Sequence, residues 1–210
     1  MQMRRLVRPV TNAVATALMI SATAGAAFAQ GHEDHGSMIA SPGPLTARQN
    51  ELVQAVRRAT EQFKGVTSVD GPGNGYGLVL GCVSGGDFGA MGLHYLNKAF
   101  LQDSDVQVDK PEIVLFEPTR DGGIRLTGAD YVVIKDAWDK DPKHINPDGS
   151  VNPPQLFGQL FHLFDAPNRF ALPAFYTLHV WAWKDNPLGT FTNWNPNVSC
   201  DAFNPSPVVR

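Results

Sequence analysis

Three histidines of this chain lie in apolar, aromatic surroundings: His94 in Met91-Gly92-Leu93-His94-Tyr95, His162 in Leu160-Phe161-His162-Leu163-Phe164, and His179 in Thr177-Leu178-His179-Val180-Trp181. A buried imidazole needs a partner for each ring nitrogen, because an unpaired polar group in an apolar environment is costly. Three imidazoles around one open position form a known zinc or copper arrangement. Glu117 and Asp130 are the carboxylates placed to act as a further ligand or to orient one. The competing account is that each histidine bonds a backbone carbonyl inside the core. No H-x-H or H-E-x-x-H spacing ties the three together, so the pattern leaves both accounts open.

Aromatic residues gather around the same histidines. Tyr95 follows His94, and strand alternation would put Trp181 and Trp183 on the face of His179. Such side chains line small-ligand pockets, and they also fill cores. The other histidines carry less weight. His144 sits in a turn-rich segment, Asp141 to Pro147, and reads as solvent-exposed; His32 and His35 belong to a polar leader. Gly81 to Gly85 lacks the serine placement of a G-x-S-x-G elbow. Gly71 to Gly75 opens no apolar-periodic helix, as a phosphate cradle would. Asp139 to Ser150 misses the ligand order of a calcium loop.

The elements that must position these residues are mostly strands. Thr46 to Lys64 is the one clear helix: Thr46 can cap it, Leu52, Val56, Ala59 and Phe63 form one apolar stripe, and Gly65 follows as a stop. Tyr76 to Val83 reads as a strand between glycine clusters. Glu112 to Glu117 and Ile124 to Ile134 flank Pro118 to Gly123, a hairpin signal. Phe175 to Trp183, dense in aromatic and β-branched residues, reads as a central strand, while Leu156 to Phe164 fits strand or helix. Sixteen prolines and 20 glycines leave little room for a second long helix. The predicted fold class is α+β: an antiparallel sheet packed against an N-terminal amphipathic helix, with one disulfide.

Residues 1–29 have the pattern of a secretory signal: Arg4, Arg5 and Arg8, then a short apolar run, then Ala27-Phe28-Ala29. Residues 30–44 read as a flexible leader, and 45–210 as a single α+β domain. Loss of the three arginines lowers the formal net charge from −3 to −6, which disfavours nucleic acid as a partner. The apolar run falls short of the ~20 residues that span a bilayer, so no membrane insertion is expected after cleavage. Cys82 and Cys200 are the only cysteines, and an even pair in an oxidising compartment predicts a disulfide.

Gly81-Cys82-Val83-Ser84, Gly89 to Asn97, Phe175 to Pro187 with His179-Val180-Trp181-Ala182-Trp183, and Trp194 to Cys200 together resemble a group of bacterial exported proteins to which no activity is assigned. The resemblance spans most of residues 45–203. It implies export and one domain, and brings no cofactor or mechanism with it. The expectation from the sequence is a periplasmic or secreted protein that binds a small molecule or a metal ion, zinc or copper, through a histidine and aromatic site. A metal-dependent enzyme and a structural module without a site are the alternatives.

Overall fold

Thr46 begins the first helix as expected. Its hydroxyl accepts from the Gln49 amide while the Gln49 side chain accepts from the Thr46 amide, which satisfies two of the N–H groups a helix start leaves unpaired. The helix, α1 (Ala47–Thr60), continues into a 3-10 turn, Glu61–Phe63. Leu52, Val53, Ala55, Val56 and Phe63 are buried. The structure is a computed structural model and describes residues 42–102 and 104–203. The predicted signal, most of the predicted leader with His32 and His35, and the last seven residues lie outside that range.

Among the described residues eight strands follow: β1 (Tyr76–Ser84), β2 (Ala90–Asn97), β3 (Ile113–Pro118), β4 (Ile124–Ile134), β5 (Gln155–Leu156), β6 (Gln159–Leu160), β7 (His162–Phe164) and β8 (Phe175–Val180). Six of them form one antiparallel sheet in the order β1-β2-β3-β4-β8-β7, and β5 pairs with β6 as a small hairpin. Two short helices, α2 (Lys98–Gln102) and α3 (Lys135–Lys140), and two 3-10 turns, Gly86–Phe88 and Pro142–His144, connect them. Fold class, helix placement and hairpin thus match the reading of the sequence. Phe175 to Trp183 differs: β8 stops at Val180 and lies next to the sheet edge, covered there only by the three-residue β7. Beyond Val180 the regular ladder is interrupted: the Trp181 amide donates to the Thr190 carbonyl, and the chain returns to β4 only at Trp183, whose amide donates to the Thr127 carbonyl.

Strand alternation divides the sheet into two faces. On one, Ala129, Tyr131, Leu178 and Val180 pack against Leu52, Val53 and Val56 of α1. Along β2 and β3 the same layer continues through Leu93, Tyr95, Val114 and Phe116. The opposite face carries His94, Ile113, Asp130, Val132, Thr177 and His179, related by the cross-strand registers Leu96↔Ile113, Ile113↔Asp130, Asp130↔His179 and Val132↔Thr177.

That face is curved. β2 and β8 are three strand spacings apart, about 14 Å on a flat sheet, yet the rings of His94 and His179 have centroids 5.9 Å apart. Between these strands the β3–β4 pairing carries a register shift at Leu115/Phe116, and an unpaired extra residue bends the strand that carries it. Two glycines permit the close approach. A Cβ on Gly92, which has φ +88°, would lie 2.4 Å from the Phe116 carbonyl oxygen, and one on Gly128 would lie 2.1 Å from that of Val180.

Cys82 and Cys200 are disulfide-bonded, closing a separation of 118 residues. Bonds of this kind persist in oxidising, exported environments. No helix among the described residues is long and apolar enough to cross a membrane.

Candidate metal centre

The curved face gathers one side chain from each of three strands. His94 from β2, Asp130 from β4 and His179 from β8 each offer a ligating atom, and the three atoms lie within 4.8 Å of one another. All three residues are buried, at 3 %, 3 % and 2 % exposure. Asp130 and His179 are direct cross-strand partners, with Asp130 Oδ1 3.4 Å from His179 Nδ1. Ligand atoms around a tetrahedral zinc with bonds of about 2.0–2.1 Å stand roughly 3.4 Å apart, so this pair already has the required spacing.

The hydrogen bonds set the roles of the three groups. His94 Nδ1 is 3.1 Å from the Gly92 carbonyl oxygen. That contact makes Nδ1 the protonated nitrogen and leaves the Nε2 lone pair for a ligand, as is usual for a metal-bound histidine. The Thr177 hydroxyl donates to Asp130 Oδ1 at 2.5 Å, holding the carboxylate in place. Neither ring nitrogen of His179 has a hydrogen-bond partner among the described residues. Asn193 stands close enough to favour protonation of the ring, but its own Oδ1 is also unpartnered; the two do not complete a hydrogen bond.

Burial dominates the electrostatics. It lowers His94 to about 4, against the opposing pull of the Gly92 carbonyl. His179 lies well below the ordinary imidazole value, first through burial and then through the nearby His94 and His162. Burial raises Asp130 to about 7, despite hydrogen bonds from Thr177 and the Leu178 backbone. Near neutral pH the cluster therefore holds two uncharged imidazoles and a carboxyl group that gives up its proton reluctantly. No cation is paired with Asp130 among the described residues. Buried charges are normally paired or bound to a metal, and this cluster could hold a metal ion.

A cavity of about 50 Å³ adjoins the three residues, enough for a few water molecules. Apart from the cluster and Thr177, its walls are apolar: Leu80, Met91, Ile113, Val132, Phe164, Phe170, Leu172 and Phe175. The segment 165–174 supplies Phe170 and Leu172. Asn168 organises it, donating to the carbonyls of Asp165 and Leu172 and accepting from the amides of Phe170 and Leu172. Arg169 anchors it to β1 through the Ser84 carbonyl. Phe164 stacks on Phe175 with centroids 5.2 Å apart, and Phe170 leans on both.

The remaining residues singled out in the sequence fall elsewhere. His162 shares the sheet face, paired with Thr177, but it is exposed and outside the cluster. Glu117 is buried against Arg125 and Lys184, whose amine lies 3.1 Å away. These cations already neutralise it. Tyr95 points to the helix-bearing face, where its hydroxyl donates to the Val69 carbonyl at 2.7 Å. Trp181 stays near the cluster, its ring 6.1 Å from that of His179, with Nε1 donating to Thr192. Trp183 is carried away by the end of β8; its Nε1 donates to Thr60, and Lys64 and Arg57 lie over its ring. The expected single face of His179, Trp181 and Trp183 is corrected accordingly. His144 stacks on Trp138 at 3.3 Å and is half-buried rather than exposed. Phe164, Phe170 and Phe175 form the aromatic wall in place of the tryptophans. Comparison with protein-family models, with curated proteins and with solved structures finds no match.

Proposed function

We propose that this is an exported metal-binding protein whose ion is held by His94, Asp130 and His179. One observation carries the reading: His179 is almost fully buried, has no hydrogen-bond partner on either nitrogen among the described residues, and sits 3.4 Å from an equally buried carboxylate. An ion would supply the missing partner of His179 and the missing countercharge of Asp130 together. Two imidazoles and one carboxylate suit zinc, and imidazole also suits copper. The signal pattern expected from the sequence and the Cys82–Cys200 disulfide support a periplasmic or secreted location.

Binding is favoured over catalysis by the role of Asp130. A metal-dependent hydrolase commonly uses a side chain free of the ion, often a carboxylate, as general base. In this cluster the carboxylate is itself a ligand, and Glu117 is committed to Arg125 and Lys184. A purely structural role would leave the histidines satisfied by backbone, as His94 Nδ1 is and His179 is not.

The test is elemental analysis of the tag-free protein purified from the periplasm. The expected result is about one equivalent of zinc or copper, lost in His94→Ala and in His179→Ala and kept in His162→Ala. A folded protein without metal, or metal content unchanged in both of the first two variants, overturns the proposal.

A further inference from the structure

Beside the three ligating residues the apolar cavity extends past what an ion alone would occupy. Resting on the metal-binding reading, we infer that the cavity is a ligand chamber, and that the bound ion takes there a small monoanionic molecule with an apolar tail, a short-chain carboxylate being the simplest member.

Charge selects the head group. A divalent ion with two neutral imidazoles and one carboxylate keeps a net charge of +1. The cluster is nine-tenths or more buried, and an unneutralised charge in such surroundings is costly. One anionic donor cancels it. The three protein ligands also leave a position open in a four-coordinate site.

The walls select the tail. Val132, Phe164, Phe170, Leu172 and Phe175 line the space beside the ligating atoms; among them only Leu172 reaches solvent substantially, at 41 % exposure. A head group bound at the ion directs its tail along these side chains towards Leu172. Inorganic anions and acetate fill the open position but leave the apolar surface in contact with water. Each added methylene buries more of it, worth roughly fourfold in affinity, until the tail emerges at Leu172 and the gain stops.

The experiment uses the full exported chain loaded with Co²⁺, whose visible absorption responds to each new ligand. Azide, acetate, butyrate and hexanoate are titrated in turn. The expected result is a spectral change with all four, with affinity rising roughly fourfold per methylene from acetate to butyrate. In Leu172→Trp, which narrows the mouth, hexanoate is expected to lose at least about tenfold more affinity than azide, on the scale of one or two excluded methylenes. Equal affinity for acetate, butyrate and hexanoate in the Co²⁺-loaded wild type overturns the chamber and leaves the ion site standing. Failure to take up Co²⁺ in a manner dependent on His179 overturns the ion site, and the chamber with it. The wild-type chain-length series decides the question even if the variant does not fold.

Discussion

An imidazole with no partner on either nitrogen costs folding free energy, about 1–3 kcal/mol for a buried group left unsatisfied. His179 carries that cost and Asp130 adds another, because burial opposes its charge. Such costs persist where a ligand repays them. The metal-free protein should therefore show the strain of Asp130 in its pH dependence. In the folded chain Asp130 keeps its proton up to about pH 7, whereas an unfolded aspartate releases it near 3.9. Between those values the folded state binds the extra proton, so this group's contribution to stability falls as pH rises. Asp130→Asn cannot ionise and escapes the fall. Urea unfolding of both metal-free proteins should show the variant gaining on the wild type by up to about 3 kcal/mol from pH 5 to pH 8. A difference that stays constant across that range would show that Asp130 ionises as freely folded as unfolded.

At the scale of elements, the site exists because the sheet bends. At Gly128 the backbone of β4 lies against the Val180 carbonyl of β8, and the added Cβ of Gly128→Ala would meet backbone rather than a yielding side chain. Forcing β4 away from β8 separates Asp130 from His179, its direct partner two residues on. Gly128→Ala is expected to cost on the order of 1–3 kcal/mol and to weaken metal binding. Thr46→Ala, at the cap of α1, is expected to cost about 1 kcal/mol and leave metal content unchanged. Chemical unfolding and elemental analysis of both variants would check this, and equal metal content would contradict it. The contrast also marks what the sequence could show. The cap at Thr46 and the hairpin around Pro118 to Gly123 are local signals and were legible. The bend depends on which carbonyl a glycine faces across the sheet, and no local pattern records it. The end of β8 escaped for the same reason: apolar alternation runs on to Trp183, but the Trp181 amide turns to Thr190, outside the ladder.

For the whole molecule, the disulfide ties the β1 edge of the sheet to the C-terminal segment that follows β8, and its pairing was forced by there being only two cysteines. Closing 118 residues of separation should stabilise by about 4–5 kcal/mol in the chain-entropy model. The double variant Cys82→Ser, Cys200→Ser should lose most of that in urea unfolding, and no loss would mean the bridge is dispensable. Of the candidate site, His94, His179 and Asp130 were legible as residue types suited to metal in apolar surroundings. Their convergence was not, because it spans three strands far apart in sequence. The chamber was hidden altogether: Phe170 and Leu172 belong to a proline-containing loop with no periodicity, held over the sheet by long-range contacts, the bond from Arg169 to the Ser84 carbonyl and the packing of Phe170 on Phe175.

The central claim is the position of the ion, and anomalous diffraction from crystals grown without chelator, recorded at the zinc and copper absorption edges, tests it most directly. One strong peak is expected about 2.0–2.2 Å from His94 Nε2, an imidazole nitrogen of His179 and a carboxylate oxygen of Asp130. No peak between those three residues, with the protein folded and the metal supplied, would contradict it.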